Sequence, residues 1–391
     1  MKAKCKLILT FSVTSAVFFS SFVGIGNAQF TQVDLDEFNK YRIEAVEQEL
    51  SLQSGSLMSD EMTLQNIEQI VESGSLDDRT VENIKKTLSS EVTIMNFDEK
   101  GNLVSAISSE NGDVLGNFES EIKDVSIENH TEFSNITQQG DDTLNLLGII
   151  PDNPTPPPGS DSGAFHRIVS PTSSLSTSYT GGVADDVRLP DYDVYKASMY
   201  GEAGYLYTGI DENRNGIVEV GFGTYKGTQG IGWFPLFHAK GTSTDLGSGT
   251  TTSKGKYYYD FRKSYSGGAV INGYKVFYKT DYPTLTITYQ LNWSNLYVIK
   301  MEGRNSQNKA IKRVTAIAMP ISNDRKTPFN VSYTSYANWG NYRFLTNNGS
   351  NTVYPTAIPS TIDTWSHGGK IDYNKQVYST TDRDEQYRIY R

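Results

Sequence analysis

Tyrosine, histidine and arginine occur together in one part of this sequence, in a pattern that could move protons on an acidic polymer. The run Tyr257, Tyr258 and Tyr259 is followed by Arg262, and His238 precedes it. In a polysaccharide lyase, a tyrosine or histidine transfers the proton while an arginine neutralises a uronate carboxylate. Tyrosine is so frequent here that a Tyr near an Arg is expected by chance, so the lyase is an alternative interpretation.

Other hydrolytic and metal chemistries receive little support. A glycoside hydrolase needs two facing carboxylates, and Glu202, Glu219 and Asp260, in or beside predicted strands, form no alternating pair on one strand face. The only cysteine, Cys5, lies in the N-terminal leader, no G-x-S-x-G motif occurs, and the histidines lack metal-ligand spacing. We therefore expect no metal site and no cofactor.

Residues 211–216, Asp-Glu-Asn-Arg-Asn-Gly, match the opening of a calcium-binding loop. Oxygen side chains at alternate positions would converge on the cation, and Glu219 would be either an outside ligand or an exposed strand carboxylate. The twelfth position, however, is Phe222 instead of a bidentate glutamate, and strands flank the segment. An Asn-Gly hairpin turn near Asp211 is therefore the preferred interpretation.

Aromatic side chains indicate a different activity, the binding of sugars. Residues 164–391 contain 24 of the 25 tyrosines and all four tryptophans. Aromatic rings stack on sugar faces while Asn, Gln and Arg bond the hydroxyls, although strand aromatics are also common core residues. We expect Trp339 and Trp365, which lie in polar segments, to be exposed. The predicted ligand-binding residues are Trp233, Tyr258, Arg262, Trp339 and Trp365.

The first 28 residues have the form of a secretory signal. Lys2, Lys4 and Lys6 precede an apolar run, Leu7–Ile25, and small residues lead to a cleavage site after Ala28. The remaining 363 of the 391 residues contain no cysteine, which excludes disulfides and zinc–thiolate sites. A retained membrane anchor is the alternative. We expect a secreted protein, extracellular or associated with the cell wall, of the kind that Gram-positive bacteria export.

Charge divides the sequence at a proline-rich segment. Residues 29–163 carry 27 acidic and 7 basic side chains, whereas residues 164–391 carry 18 and 25. Opposite charges allow the acidic region to dock on the second domain, and two independent domains are the equal alternative. The composition of Pro151–Gly163 is that of a linker. The predicted parts are a signal (1–28), an acidic region (29–150), a linker (151–163) and a tyrosine-rich domain (164–391).

The acidic region is predicted to be α+β. Apolar spacing indicates three short amphipathic helices, which begin near Asp34, after Ser59 and after the capping candidate Ser75. Turn residues at 98–102 and 110–113 then indicate β-hairpins. Such a region could be a pro-region, an inhibitor or a small adaptor domain, and it contains no catalytic constellation.

The tyrosine-rich domain has the alternation of antiparallel strands. Leu285, Ile287, Tyr289 and Leu291 alternate with threonines, and the run 296–301 follows after a turn, which predicts a hairpin. No convincing helix separates the strands. The fold class is therefore mainly β, an antiparallel β-sandwich or jelly roll preceded by the small acidic α+β region.

Three segments of this domain resemble secreted Bacillus proteins of the YrpD type. They are GYLYTG at Gly204–Gly209, IVEVGF at Ile217–Phe222 and GWFPLF at Gly232–Phe237, in the same order as in those proteins. The resemblance covers roughly residues 200–320 and implies a secreted sandwich of concanavalin-lectin-like character. It implies no particular activity, so it transfers no catalytic residue.

The sequence therefore predicts a secreted protein whose sandwich binds carbohydrate or another cell-envelope polymer without catalysis. The alternatives are a polysaccharide-active enzyme, above all a lyase, and a structural or protein-interaction module. Nucleic acid is not an expected partner, because Lys and Arg form no cluster. No stretch after the signal is apolar enough to span a membrane.

Overall fold

The computed structural model describes most of the chain between Phe30 and Tyr390. The predicted signal and the linker residues 151–162 lie outside the described residues. Within the described part, no helix is both long and apolar enough to cross a bilayer. The described ranges are 30–54, 62–98, 101–122, 163–171, 179–194, 203–212, 215–227, 230–239, 256–281, 284–301, 309–318, 331–346, 349–358, 360–366, 370–377 and 383–390.

Three helices begin the N-terminal region, as predicted. They are α1 (Gln32–Ser54), α2 (Leu64–Glu72) and α3 (Asp78–Leu88). Thr63 caps α2, because its hydroxyl accepts a hydrogen bond from the backbone N–H of Asn66 at 3.2 Å. The prediction of Ser75 as the third cap is wrong. Asp77 has an extended backbone and accepts a hydrogen bond from the Thr80 N–H at 2.9 Å, so it caps α3.

Sheet A contains twelve strands, numbered here along the chain. They are β1 (Glu91–Phe97), β2 (Leu103–Ser108), β3 (Gly112–Asp113), β6 (Tyr179–Arg188), β12 (Val270–Asp281), β13 (Thr284–Leu291), β14 (Asn295–Met301), β17 (Ala337–Gly340), β18 (Arg343–Thr346), β19 (Asn351–Val353), β21 (Lys370–Val377) and β22 (Arg383–Tyr390). Their order is β21-β22-β17-β6-β12-β13-β14-β1-β2-β3, and β18 pairs with β6 and β19. The predicted hairpin of β13 and β14 is confirmed.

Sheet B contains eight strands, and all its pairs are antiparallel. They are β4 (Phe118–Ile122), β5 (Gly163–Val169), β8 (Ala203–Glu212), β9 (Asn215–Gly227), β10 (Gly230–Ala239), β11 (Lys256–Asp260), β15 (Lys309–Ala318) and β20 (Thr361–Ser366). Their order is β20-β5-β15-β8-β9-β10-β11-β4. The strands β7 (Tyr192–Val194) and β16 (Val331–Tyr333) form a separate pair.

The predicted hairpin near Asp211 joins β8 to β9, but its turn residues differ from the prediction. Asn215 and Gly216 lie within the ladder, where they pair with Glu212 and Asp211. Residues 213–214, between the two strands, lie outside the described residues.

The two large sheets pack face to face, which gives the mainly β sandwich predicted from the sequence. Tyrosines bridge them. The Tyr274 hydroxyl donates a hydrogen bond to the carbonyl of Val220 at 3.1 Å, and the Tyr289 hydroxyl donates to that of Gly221 at 2.9 Å. The ring of Phe222, in sheet B, packs on both tyrosine rings. Each of these tyrosines combines a large apolar ring with a hydroxyl that is hydrogen-bonded to a backbone carbonyl. Both therefore suit the core between the two sheets.

The N-terminal region contributes strands to both sheets. Strand β1 pairs in parallel with β14, from Glu91 opposite Asn295 to Phe97 opposite Met301. Strand β4 pairs in antiparallel fashion with β11. Each of the two large sheets therefore contains strands from both sides of the proline-rich segment.

Helix α1 lies over the outer face of sheet A next to this shared ladder. Lys300 pairs with Glu37, and Lys275 Nζ lies 3.1 Å from Glu49 Oε2. Apolar contact accompanies the ion pairs, in a cluster of Phe38, Tyr41, Ala45, Val92, Ile94, Leu296 and Val298. Opposite charge and apolar burial together hold α1 on the sheet.

Candidate functional site

Two of the predicted ligand-binding tryptophans are core residues. Trp233 and Trp339 are both 0% exposed. Trp233 Nε1 donates to the carbonyl of Pro190 at 2.9 Å, and Trp339 Nε1 donates to Thr315 Oγ1 at 2.7 Å. The prediction that Trp339 is exposed is wrong, because β17 turns this side chain towards sheet B. Neither ring has a face available to a ligand in this structure.

The predicted residues Tyr258 and Arg262 connect the N-terminal region to the sandwich. The Tyr258 hydroxyl accepts a hydrogen bond from the Leu103 N–H at 3.0 Å. Arg262 donates from Nη1 to Glu91 Oε1 at 2.8 Å and from Nη2 to Asp260 Oδ2 at 2.7 Å. The guanidinium therefore bridges carboxylates of β1 and β11, and both side chains have structural partners.

Glu91 is the centre of this connection. Burial alone would raise the pKa of its carboxyl, but hydrogen bonds from Lys263 and Ser108 and the charge of Arg262 lower the pKa below its usual value. Ser108 Oγ donates to Glu91 Oε1 at 2.6 Å, and Lys263 Nζ lies 2.7 Å from Oε2. The carboxylate is therefore ionised at neutral pH and holds two cations of the tyrosine-rich domain.

Trp365 and the candidate calcium loop stay predictions. The backbone of Trp365 pairs with Phe165 between β20 and β5, and its side chain lies outside the described residues. The side chains of residues 211–217 lie outside them as well. In the part of the chain that the structure describes, no group of three or more His, Cys, Asp or Glu side chains could hold a metal ion.

The outer face of sheet A beyond α1 carries a row of polar side chains. Val270 of β12 lies opposite Arg188 of β6, Arg188 lies opposite Asn338 of β17, and Asn338 lies opposite Gln386 of β22. Residues directly opposite one another project from the same face of a sheet. Arg188 is exposed and Gln386 is half-buried. We call Arg188, Asn338 and Gln386 the polar row.

Asn338, in the middle of the polar row, has an unpaired acceptor. The residue is 8% exposed, and among the described residues none donates a hydrogen bond to its Oδ1. A buried amide oxygen without a donor costs free energy. The fold therefore leaves this buried amide oxygen without a donor among the described residues.

Trp293 lies on the same face in a strained conformation. Its φ is 61°, in the left-handed region that bulky residues rarely adopt. The residue is half-buried, in the turn between β13 and β14, and its indole lies across Gly273 of β12. A Cβ on Gly273 would collide with three indole atoms, Cε2, Cδ2 and Cζ2. The ring is therefore laid against the glycine backbone, with its other face directed away from the sheet.

Hydrogen bonds and a cation fix the position of the Trp293 turn. The backbone N–H of Asn272 donates to Asn292 Oδ1 at 3.1 Å, and the Asn292 N–H donates to the Asn272 carbonyl at 2.9 Å. Lys275 Nζ lies 5.7 Å from the centroid of the Trp293 ring. Gly273 is three residues from Val270, the partner of Arg188, so the Trp293 ring and the polar row are on the order of 10 Å apart along the sheet.

Substitution of Gly273 by alanine is expected to displace Trp293. Gly273 has a φ of 58°, so a Cβ would strain the backbone as well as collide with the indole. We expect a loss of about 1–2 kcal/mol in the free energy of unfolding, measured with urea. Gly116→Ala is the matched control, because nothing lies within 4 Å of the position its Cβ would take. Equal stability of both variants would show that the indole does not pack on Gly273.

Comparison with known proteins gives no assignment. No protein-family model matches the sequence, and no curated protein matches it significantly. The resemblance to the YrpD type stays a prediction.

Proposed function

We propose that this protein binds carbohydrate on the outer face of sheet A. The observation that carries the proposal is the strained Trp293, whose ring lies flat on Gly273. An aromatic ring laid on a sheet presents its outward face to the CH groups of a sugar. Backbone strain at a bulky residue is typical of positions that have a functional role.

The polar row supplies the hydrogen bonds that such a ligand needs. Arginine donates hydrogen bonds to sugar hydroxyls, and amide side chains both donate to and accept from them. Asn338 adds a third polar side chain between Arg188 and Gln386. The Trp293 ring and the polar row lie far enough apart for a short oligosaccharide to contact both, so the ligand is an extended glycan instead of a single sugar.

Charge on this face favours an uncharged glycan. Asp186 lies two positions before Arg188 on β6, beside Asp185. Burial, and then the charges of Asp384 and Asp185, raise the pKa of Asp186, while Arg188 lowers it. The three carboxyl groups would repel a polyanion when ionised, whereas sugar hydroxyls can donate hydrogen bonds to them. With the predicted secretory signal, a neutral polymer of the cell envelope or its surroundings is the proposed ligand.

Binding to a panel of polymers tests this proposal. The full mature chain is incubated with purified cell wall, chitin, cellulose and a polyuronate, and the bound fraction is measured by sedimentation and affinity electrophoresis. Trp293→Ala is expected to weaken binding to the preferred neutral polymer by at least about tenfold, equivalent to about 1.4 kcal/mol. Asn338→Ala should weaken it by about threefold to tenfold.

Val104→Ala is the control, because Val104 is 54% exposed on β2, in the N-terminal region. It should bind as the wild type does. Polymer binding that survives both Trp293→Ala and Asn338→Ala would place the site elsewhere. Failure of the wild-type protein to bind any polymer would overturn carbohydrate binding and favour a structural or protein-interaction role.

A further inference from the structure

A second pair of aromatic rings lies on the outer face of sheet A, beyond the polar row. They belong to Tyr390 of β22 and to Tyr336, the residue immediately before β17, and both residues are half-buried. Arg388 of β22 contacts both rings. Its guanidinium carbon lies 4.6 Å from the centroid of the Tyr390 ring and 5.4 Å from that of the Tyr336 ring, which are cation–π distances. We call Tyr336, Arg388 and Tyr390 the Arg388 cluster.

Alternation along β22 places the Arg388 cluster on the same face as the polar row. Tyr387 and Ile389 are fully buried in the core between the sheets. The residues that alternate with them, Gln386, Arg388 and Tyr390, are half-buried and project from the opposite face. Gln386 is itself a member of the polar row. The cluster and the row therefore form one continuous surface.

The Arg388 cluster and the Trp293 ring lie on opposite sides of the polar row. Each pairing from β12 through β6 and β17 to β22 is antiparallel, so rising residue numbers on β12 run in the same direction as falling numbers on β22. Gly273, on which the Trp293 ring lies, follows Val270 on β12. The β22 residues of the cluster follow Gln386 and therefore extend in the other direction. The polar row is thus flanked by aromatic surface on both sides.

The span of this surface sets the size of a ligand that reaches both ends. Strand β22 is three strands away from β12 in sheet A. Together with the residue steps along the strands, this separation puts the Trp293 ring and the Arg388 cluster about 20–25 Å apart. A disaccharide is too short to cover that distance, whereas an extended chain of several sugars reaches across it.

The charge of Arg388 is balanced by Asp372 of β21, which lies opposite it in the sheet. Arg388 Nη2 lies 2.5 Å from Asp372 Oδ2, and the Tyr390 hydroxyl donates a hydrogen bond to Asp372 Oδ1 at 3.2 Å. The side chains of Arg388 and Asp372 remain 35% and 34% exposed. These bonds fix the guanidinium and the Tyr390 ring in place. The cluster with Asp372 is therefore an ordered, accessible surface without net charge, which suits a neutral glycan more than a polyanion.

The tyrosines of β11, on the outer face of sheet B, are a contrasting case. Tyr257 and Tyr259 are both buried there. Glu219 of β9 is 1% exposed, and its two oxygens lie 2.6 Å from Lys312 Nζ and 2.9 Å from His238 Nδ1. The interpretation of Glu219 as an exposed strand carboxylate is therefore wrong. These side chains are buried, so they are not a surface that a polymer contacts.

We propose that the Arg388 cluster is a second sugar-binding subsite, and that the ligand is a neutral glycan that runs from Trp293 across the polar row to Tyr390. This inference rests on the carbohydrate binding proposed above, and it adds the length of the ligand and its far contact. A tyrosine ring packs on the CH groups of a sugar as the Trp293 ring does. Arg388 donates hydrogen bonds to sugar hydroxyls, and Asp372 accepts hydrogen bonds from them.

Two linked contacts predict that affinity depends on the length of the glycan. A glycan already bound at Trp293 is held near the Arg388 cluster, so the second contact does not repeat the entropic cost of association. Affinity should therefore rise as sugars are added until the chain reaches Tyr390. Still longer chains make no further contact with the cluster, so their affinity should level off.

A series of oligosaccharides of the preferred neutral polymer, from the disaccharide to the octasaccharide, tests the proposal. Each is titrated into the full mature chain, and binding is followed through the Trp293 indole N–H resonance. We expect the dissociation constant to fall by at least about tenfold between the shortest and the longest ligand. Tyr390→Ala should remove about fivefold or more of that gain and leave the affinity for the disaccharide at Trp293 unchanged. Tyr336→Ala should act in the same direction.

Tyr390→Phe is the matched control. It keeps the ring and removes only the hydroxyl that bonds Asp372, so it should retain most of the gain in affinity with chain length.

Circular dichroism and thermal unfolding of each variant separate loss of binding from loss of fold. An equal gain with chain length in the wild type and in folded Tyr390→Ala and Tyr336→Ala, or no gain at all, would overturn the second subsite. Binding of the disaccharide at Trp293 would then still support the proposed function. Loss of the gain in folded Tyr390→Phe would contradict stacking on the ring. If the wild-type chain binds no oligosaccharide of any length, the proposed function and the second subsite both fail.

Discussion

A chain that lacks residues 30–122 is expected to be insoluble or unfolded instead of forming a free sandwich. Removal of residues 30–122 takes away β1, the partner of β14, and β4, the partner of β11. One strand of each sheet is then left with an unpaired edge. The removal also exposes Leu296 and Val298, which pack on Phe38 of α1. Unpaired strand edges and exposed apolar faces lead to aggregation. Expression of residues 164–391, with sedimentation and circular dichroism of the product, measures the effect.

Addition of residues 30–122 as a separate polypeptide should restore solubility, because the contacts do not require a continuous chain. Phe38→Ala in the full chain is the graded version of the experiment. It should lower the free energy of unfolding by about 3–5 kcal/mol, since Phe38 is fully buried between α1 and sheet A. A soluble 164–391 fragment with the thermal transition of the full chain would contradict an integral role for the N-terminal region.

Acid is expected to destabilise the protein through His166. The imidazole is buried, and burial, followed by the charge of Arg313, lowers its pKa from 6.5 to about 3, while Glu385 acts in the opposite direction. Between those values the unfolded chain binds a proton that the folded chain does not. Stability contributed by neutral His166 is therefore complete above pH 6.5 and falls as the pH decreases, by up to about 1.4 kcal/mol per pH unit.

The comparison with His166→Phe isolates this contribution. Phenylalanine keeps a ring against Tyr387, on which His166 stacks at 4.2 Å, but it cannot be protonated. The variant loses the hydrogen bond between His166 Nδ1 and Thr364 Oγ1, so it should be less stable at neutral pH. Its free energy of unfolding should nevertheless depend less steeply on pH between 6.5 and 3. Parallel pH curves for the two proteins would show that His166 is not held neutral by the fold.

The local features of the fold could be predicted from the sequence. Alternation at Leu285–Leu291 gave the strand and its hairpin, and amphipathic spacing gave three helices. Trp339 shows where local reasoning fails. Its segment is polar, yet Trp339 and Asn338 point to opposite faces, and only the pairing of β17 with β6 and β22 decides which face is the core. The alternation predicts that the two side chains separate, but it does not predict their direction.

The candidate sites depend on contacts between distant parts of the chain, which no local pattern contains. Arg188, Asn338 and Gln386 come from three strands far apart in sequence, and the unpaired Oδ1 of Asn338 exists only in the folded protein. Trp293 had a local signal, an Asn-Trp turn between two strands. Its positive φ and its contact with Gly273 required the fold.

The same limit applies to the charge pattern. Acidic and basic halves permit docking, but the sequence does not specify that β1 and β4 enter the two sheets. Parallel pairing of β1 with β14 is a long-range contact whose register is set by the packed core.

The indole N–H resonances of the tryptophans offer the most direct test of carbohydrate binding. They are assigned with single Trp→Phe variants and followed by NMR while an oligosaccharide of the preferred polymer is added to the full mature chain. The Trp293 resonance is predicted to shift with the ligand, whereas those of Trp233 and Trp339 stay in place because both side chains are buried and hydrogen-bonded. A ligand that binds while the Trp293 resonance does not move would contradict the assignment of this face.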